Sequence, residues 1–106
     1  MKINQADNFF KRLKGLLFTK EITESEGLLL KNCKQVHTFG MNYDIGVFYL
    51  DKKYCIVGYE LLKKNRIGKK HAATKHILEV HPMYIKDASK IDLLINALTK
   101  EVLEHE

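Results

Sequence analysis

The chain has 106 residues, 45% of them hydrophobic and 29% charged, which suits one domain with its own core and argues against a disordered chain. Its formal charge is +5 at neutral pH, from 18 Lys and Arg against 13 Asp and Glu, so anionic partners are favoured over cationic ones. Apolar residues come only in short runs, far below the ~20 residues of a membrane span or the roughly 7–15 of a secretory signal core. The expectation is a single soluble domain over residues 1–106, cytoplasmic, with no membrane span.

In chain order, residues 7–17 read as a short amphipathic helix. Asp7 is a suitable N-cap, and Phe9, Phe10, Leu13, Leu16 and Leu17 fall close to helical spacing. Residues 19–26 are polar and read as a loop. Gly27-Leu28-Leu29-Leu30 suits a buried strand, and Gln35–Phe39 a second short extended segment. Residues 44–51 carry apolar side chains on both faces, Ile45, Val47 and Tyr49 on one, Phe48 and Leu50 on the other. This is the pattern of a strand lying centrally in a sheet. Asp51-Lys52-Lys53 is a compact polar turn, and residues 54–62 form a second strand of similar character. Together, 44–62 read as a β-hairpin.

Residues 63–71 are basic and contain Gly68, so they read as a loop. Residues 76–81 alternate as a strand, with Ile77 and Glu79 on one side and Leu78 and Val80 on the other. Pro82 ends it. Residues 87–104 give the clearest helix, capped by Asp87 or Ser89. Ile91, Leu94, Leu98 and Val102, with Leu93, Ala97 and Leu103, form its apolar stripe, which packs on the sheet or pairs two copies. Short connections between successive strands favour antiparallel pairing, so the class is α+β, mainly β, with helices at the ends.

The chain has no dinucleotide-binding glycine fingerprint, no P-loop, no nucleophile elbow and no paired CxxC, so no cofactor is expected. The densest group of reactive side chains is Cys33, His37, Thr38 and Met41. Thiolate, imidazole and thioether are soft or borderline metal ligands, but a structural zinc needs four ligands and only two of zinc type are local. No metal is expected. The plainer reading makes Cys33 and Met41 core residues. A Cys33–His37 thiolate–imidazole pair needs a turn at Lys34-Gln35, because four residues of extended chain span about 13 Å. Glu79 sits inside an apolar strand, where a carboxylate turns to solvent or is buried against a cation such as Arg12. His71, His76 and His81 read as surface histidines. Cys33 and Cys55 fit a reducing compartment, and whether they pair is left open.

Lys63, Lys64, Arg66, Lys69 and Lys70 make the most basic stretch and the candidate contact surface, for a protein partner or a small anionic ligand. Nucleic acid is disfavoured, because no aromatic residue interrupts the run and no nucleic-acid motif accompanies it.

Four segments in order, RLKGLL (12–17), GLLLKNCKQVHTFGM (27–41), IGVFYLD (45–51) and ATKHILEV (73–80), resemble the prokaryotic family called domain of unknown function 192. The resemblance implies a compact antiparallel β barrel or sandwich-like fold with peripheral helices. It brings no established activity. Its signature positions fall on Arg12, Gly15, Cys33, His37, Thr38, Met41 and Glu79. Gly46 stands where the family pattern has an acid, and His81-Pro82 where it has a glycine-containing turn. The expected function is a non-catalytic binding or accessory protein. The alternative is a small enzyme or metal-binding protein with a site near Cys33, His37 and Glu79.

Overall fold

The computed structural model describes residues 1–6 and 21–105. The helix expected over 7–17, with Arg12 and Gly15, lies outside the described residues. Among the described residues, five strands form one sheet: β1 (Lys2–Ala6), β2 (Glu26–Leu30), β3 (Ile45–Leu50), β4 (Ile56–Leu62) and β5 (His76–Val80), in spatial order β1-β2-β5-β3-β4. The sheet is open, with β1 and β4 at its edges, and is not closed into the barrel that the family resemblance implies. It is also mixed. β1 runs parallel to β2, while β2–β5, β5–β3 and β3–β4 are antiparallel.

The hairpin of β3 and β4 forms as expected, with Ile45 opposite Leu62 and a register irregularity near Tyr49 and Leu50. All six residues of β3 are buried, in keeping with apolar side chains on both faces and hydrogen-bonded neighbours on both sides. β5 is likewise buried along its whole length. β4 departs from expectation. It is an edge strand, and its Val57 and Tyr59 are exposed, Tyr59 by 57%. Gln35–Phe39 contributes one isolated bridge, His37 to Ile67, rather than a strand.

β4 and β5 both lie antiparallel to β3, so residues 63–75 must cross from one end of the sheet to the other. On the crossover's side, Val36 and Met41 pack with Leu30, Ile45, Val47, Tyr49, Leu62 and Ile77. On the opposite face, Leu29, Phe48, Leu78 and Val80 meet the C-terminal helix.

That helix is shorter than its sequence pattern. Asp87 caps a 3-10 turn at Ala88–Lys90 by accepting from the Ser89 amide, and the α-helix proper runs Ile91–Glu101. A short helix α1 (Met83–Lys86) precedes it, so the longer one is α2. Leu94, Ala97, Leu98 and Val102 are buried on the sheet, while Leu93 and Leu103 are exposed and fall outside the stripe. The apolar seam therefore serves the core. Among the described residues, no helix is long and apolar enough to cross a membrane.

Candidate functional site

The segment 33–44 and the basic crossover are built as one unit, and Thr38 is its pivot. Thr38 is fully buried. Its hydroxyl donates to the Lys63 carbonyl at 2.6 Å and accepts from the Arg66 amide at 2.9 Å. Its backbone amide donates to the Arg66 carbonyl, and its carbonyl accepts from the amides of Met41 and Asn65. Around it, Gly68 donates to the Val36 carbonyl at 2.8 Å, Gln35 Nε2 to the Gly68 carbonyl at 3.0 Å, and the Lys64 amide to Asp44 Oδ1 at 2.9 Å. A side chain at Gly68 would collide with Tyr49, since a Cβ there would lie 2.6 Å from the Tyr49 hydroxyl. The strap thus lies flat against the sheet. Its Lys63, Lys64, Arg66, Lys69 and Lys70 are all exposed.

Beneath it, the Tyr49 hydroxyl donates to Glu60, and Glu60 Oε2 also accepts from the Lys69 amide at 2.7 Å. Burial, with the Glu60 carboxylate beside it, pushes the Tyr49 hydroxyl well above the ordinary phenol range. His71 packs on the Tyr49 ring with centroids 4.5 Å apart, and its Nε2 is buried with no hydrogen-bond partner among the described residues.

The other expected site residues are dispersed. Cys33 is buried, and its Sγ donates to the Gln35 carbonyl at 3.3 Å. Met41 is buried in the same apolar layer. His37 is exposed, stacks on Phe39 with centroids 5.1 Å apart, and accepts from the Phe39 amide at its Nδ1. Cys33 donates its amide to the Lys75 carbonyl, four residues before Glu79 on the same run of chain. Strand rise then puts the two backbones about 13 Å apart. Among the described residues, no group of three His, Cys, Asp or Glu side chains is placed to hold a metal ion.

Glu79 lies on the crossover side of β5, opposite Leu28 of β2 and Val47 of β3. It is fully buried, and neither carboxylate oxygen has a hydrogen-bond partner among the described residues. Loss of water around the carboxyl pushes its pKa up to about 8. Arg12, expected as its cation, lies outside the described residues.

The histidines are not the surface set that the sequence suggested. His76 is buried, stacks on Tyr54 at 4.5 Å with nearly parallel rings, and accepts from the Asn32 amide at Nδ1. His81 is half-buried and accepts from the Met83 amide. His76 is thus held by the segment after β2 and by the β3–β4 turn, and His81 by the turn that ends β5. Cys33 and Cys55 are free thiols, Cys55 exposed.

At the end of the sheet where β3 finishes and β5 begins, a cavity of about 470 Å³ opens between the 51–53 turn, Lys34 and residues 73–75. Lys34, Lys52, Lys53 and Lys75 line it with Asp51 and Thr74. Asp51 Oδ1 accepts from the Cys55 and Lys53 amides, which hold its carboxyl below the usual range and shape the turn. Sequence reasoning did not find this cluster. Its lysines are scattered over three connections, and only the strand order gathers them.

Comparison with known proteins follows the same frame. The UPF0127 protein TK1120 of Thermococcus kodakarensis is 30% identical over 82 residues, which are 74% of this chain and 52% of that protein. The chain therefore spans about half the length of that relative. Two crystal structures share the fold at 12% identity. A protein of unknown function from Novosphingobium aromaticivorans matches with a TM-score of 0.64, over 79% of this chain and 66% of that one. A Sinorhizobium meliloti protein described as a "putative transcription regulator" matches with a TM-score of 0.68, over 82% and 73%. The model of domain of unknown function 192, described as "Uncharacterized ACR", matches residues 1–90. These residues take in every strand of the sheet and the motif that holds the crossover, and the chain belongs to that family.

Proposed function

We propose that the chain is a non-catalytic binding or accessory module that docks an acidic protein surface through the crossover of residues 63–70. The observation that carries this reading is the construction of the strap. Its backbone is pinned by Thr38, Val36, Gln35 and Asp44, while its five cationic side chains stay exposed. Among the described residues, the exposed Arg66 guanidinium donates at 3.1 Å to the carbonyl of its neighbour Asn65. A preordered basic surface loses little conformational entropy on docking and speeds encounter with acidic partners. A cytoplasmic setting suits the two free thiols.

The test is a pull-down from host lysate at low salt, comparing wild type with a variant reversed at Lys63, Lys64, Lys69 and Lys70. The variant should melt like the wild type and lose the proteins that salt elutes from it. Unchanged recovery sinks the reading.

A second reading, a small enzyme or metal-binding protein with a site near Cys33, His37 and Glu79, draws on the unpartnered carboxyl of Glu79. It needs a ligand that reaches Glu79. Among the described residues, the cavity at 51–53 and the one at Glu21–Glu24 have none of the three in their walls. Native mass spectrometry of protein purified without chelators decides it. Added mass lost in both Cys33→Ala and His37→Ala favours that reading, and a clean apo mass favours the binding module.

A further inference from the structure

The segment bonded to the strap carries an exposed ridge that the core does not use. His37 lies directly opposite Ile67 in an antiparallel bridge. The Gly68 amide donates to the Val36 carbonyl on one side of this pair, and the Thr38 amide to the Arg66 carbonyl on the other. A pair flanked by such bonds brings its side chains close together. His37 also stacks on Phe39, with centroids 5.1 Å apart. Phe39, His37 and Ile67 therefore form one continuous ridge. All three are exposed, Phe39 by 47% and Ile67 by 59%.

The ridge has a fixed backbone. Phe39 and Gly40 are the middle residues of a turn closed by the Met41 amide on the Thr38 carbonyl, and Gly40 supplies its positive φ of 82°. The Gly40 amide donates to Asn65 Oδ1 at 3.3 Å, which ties the turn to the strap. Large side chains on a preordered backbone offer contact area at little ordering cost. The middle of the ridge is polar. His37 Nδ1 accepts from the Phe39 amide at 3.3 Å, so the neutral ring carries its proton on Nε2. His37 makes no other hydrogen bond among the described residues, and Nε2 lies at the ring edge remote from its own backbone. One N–H donor thus stands between an aromatic and an aliphatic side chain.

We infer that this ridge is the selective part of the docking surface, and that its partner is an acidic protein segment in which a carboxylate is flanked by apolar side chains. The carboxylate accepts from His37 Nε2, the apolar side chains cover Phe39 and Ile67, and the strap cations supply the longer-range attraction. Such a partner is a narrower case of the docking reading above, on which it rests. Charge complementarity calls for an acidic partner, and the His37 donor selects among acidic partners. At an anionic bilayer, Phe39 and Ile67 would enter the apolar layer and take His37 with them, away from any fixed acceptor, which is costly. Against single-stranded nucleic acid, the rings of His37 and Phe39 are turned on each other, 28° from parallel, rather than standing apart as platforms for bases.

Panning the whole chain against a phage-displayed library of random linear peptides tests this, with the recovered consensus peptide titrated by fluorescence anisotropy. The expected consensus carries Asp or Glu with Leu, Ile, Val or Phe on both sides. Exchanging those apolar residues for serine, at unchanged charge, should weaken the peptide at least about tenfold. Phe39→Ser with Ile67→Ser, at two exposed positions, should melt like the wild type and weaken the peptide by a similar factor. His37→Asn keeps an acceptor for the Phe39 amide, removes the Nε2 donor, and should cost about tenfold in affinity. A consensus of acidic residues alone, or a peptide that the ridge variants bind as well as the wild type does, overturns the ridge and leaves the strap reading standing. Recovery of no consensus overturns the ridge as well, and the pull-down of the charge-reversed strap then decides the broader reading. Phosphatidylserine vesicles and a single-stranded oligoribonucleotide serve as companion arms. Binding of either that the ridge variants abolish, with no peptide recovered, overturns both.

Discussion

Glu79 makes stability depend on pH in the sense opposite to most carboxylates. Its folded pKa is raised to about 8 from an ordinary 4.5, so between these values the folded state holds a proton that the unfolded state has lost. Stability is then greatest below about pH 4.5 as far as this group is concerned, and it falls as pH rises towards 8, by up to about 1.4 kcal/mol per pH unit. Urea unfolding at pH 5, 6, 7 and 8 should show this decline, and Glu79→Gln should flatten it. A decline absent from wild type, or a rise, would reveal a cation on Glu79 such as Arg12. At the other key residue, Thr38→Val removes a hydroxyl that both donates to Lys63 and accepts from Arg66. It should cost about 1–3 kcal/mol in unfolding free energy and speed amide exchange at Arg66. Both residues stood out in the sequence. Only three-dimensional placement separates the one that holds a loop from the one that titrates.

Among the elements, those with a strong internal period were legible. β3, β5 and the long helix were readable because an apolar pattern on one or two faces is a direct record of burial. β1 escaped notice because Lys2–Ala6 carries mostly polar residues and owes its strand form to pairing with β2 along an edge. The basic strap was legible as a charge run, but not its anchorage, since Thr38 and Arg66 lie 28 residues apart. Gly46 and the short helix that follows His81-Pro82 are packed against each other. A Cβ at Gly46 would approach Ile85 Cγ1 to 2.9 Å and the His81 carbonyl to 3.2 Å. The short helix launched by His81-Pro82 therefore sits where an acid at position 46 would project. Gly46→Ala should cost about 1–3 kcal/mol by overpacking, and less in an Ile85→Ala background, a coupling that a double-mutant cycle measures. On the long helix, Leu98→Ala should cost about 2–5 kcal/mol, whereas Leu93→Ala at an exposed position should stay within about 0.5 kcal/mol, both by thermal or urea melts.

At the scale of the whole molecule, the open sheet carries the basic strap across one face, with its cationic side chains exposed. Exposed strap charges are screened within about 8 Å at physiological salt. Added salt should accordingly release a macromolecule held by the strap, which can be followed by a salt titration of the complex. The strand order also bears on how the chain is made. β5 is the last strand to leave the ribosome, yet it lies in the middle of the sheet, between β2 and β3. A nascent chain that has reached residue 75 holds two unfinished pieces, β1 with β2 and the hairpin of β3 with β4, each presenting an open edge where β5 will lie. For that interval the growing polypeptide is a pair of adhesive half-sheets, and its safety rests on how soon the next five residues emerge.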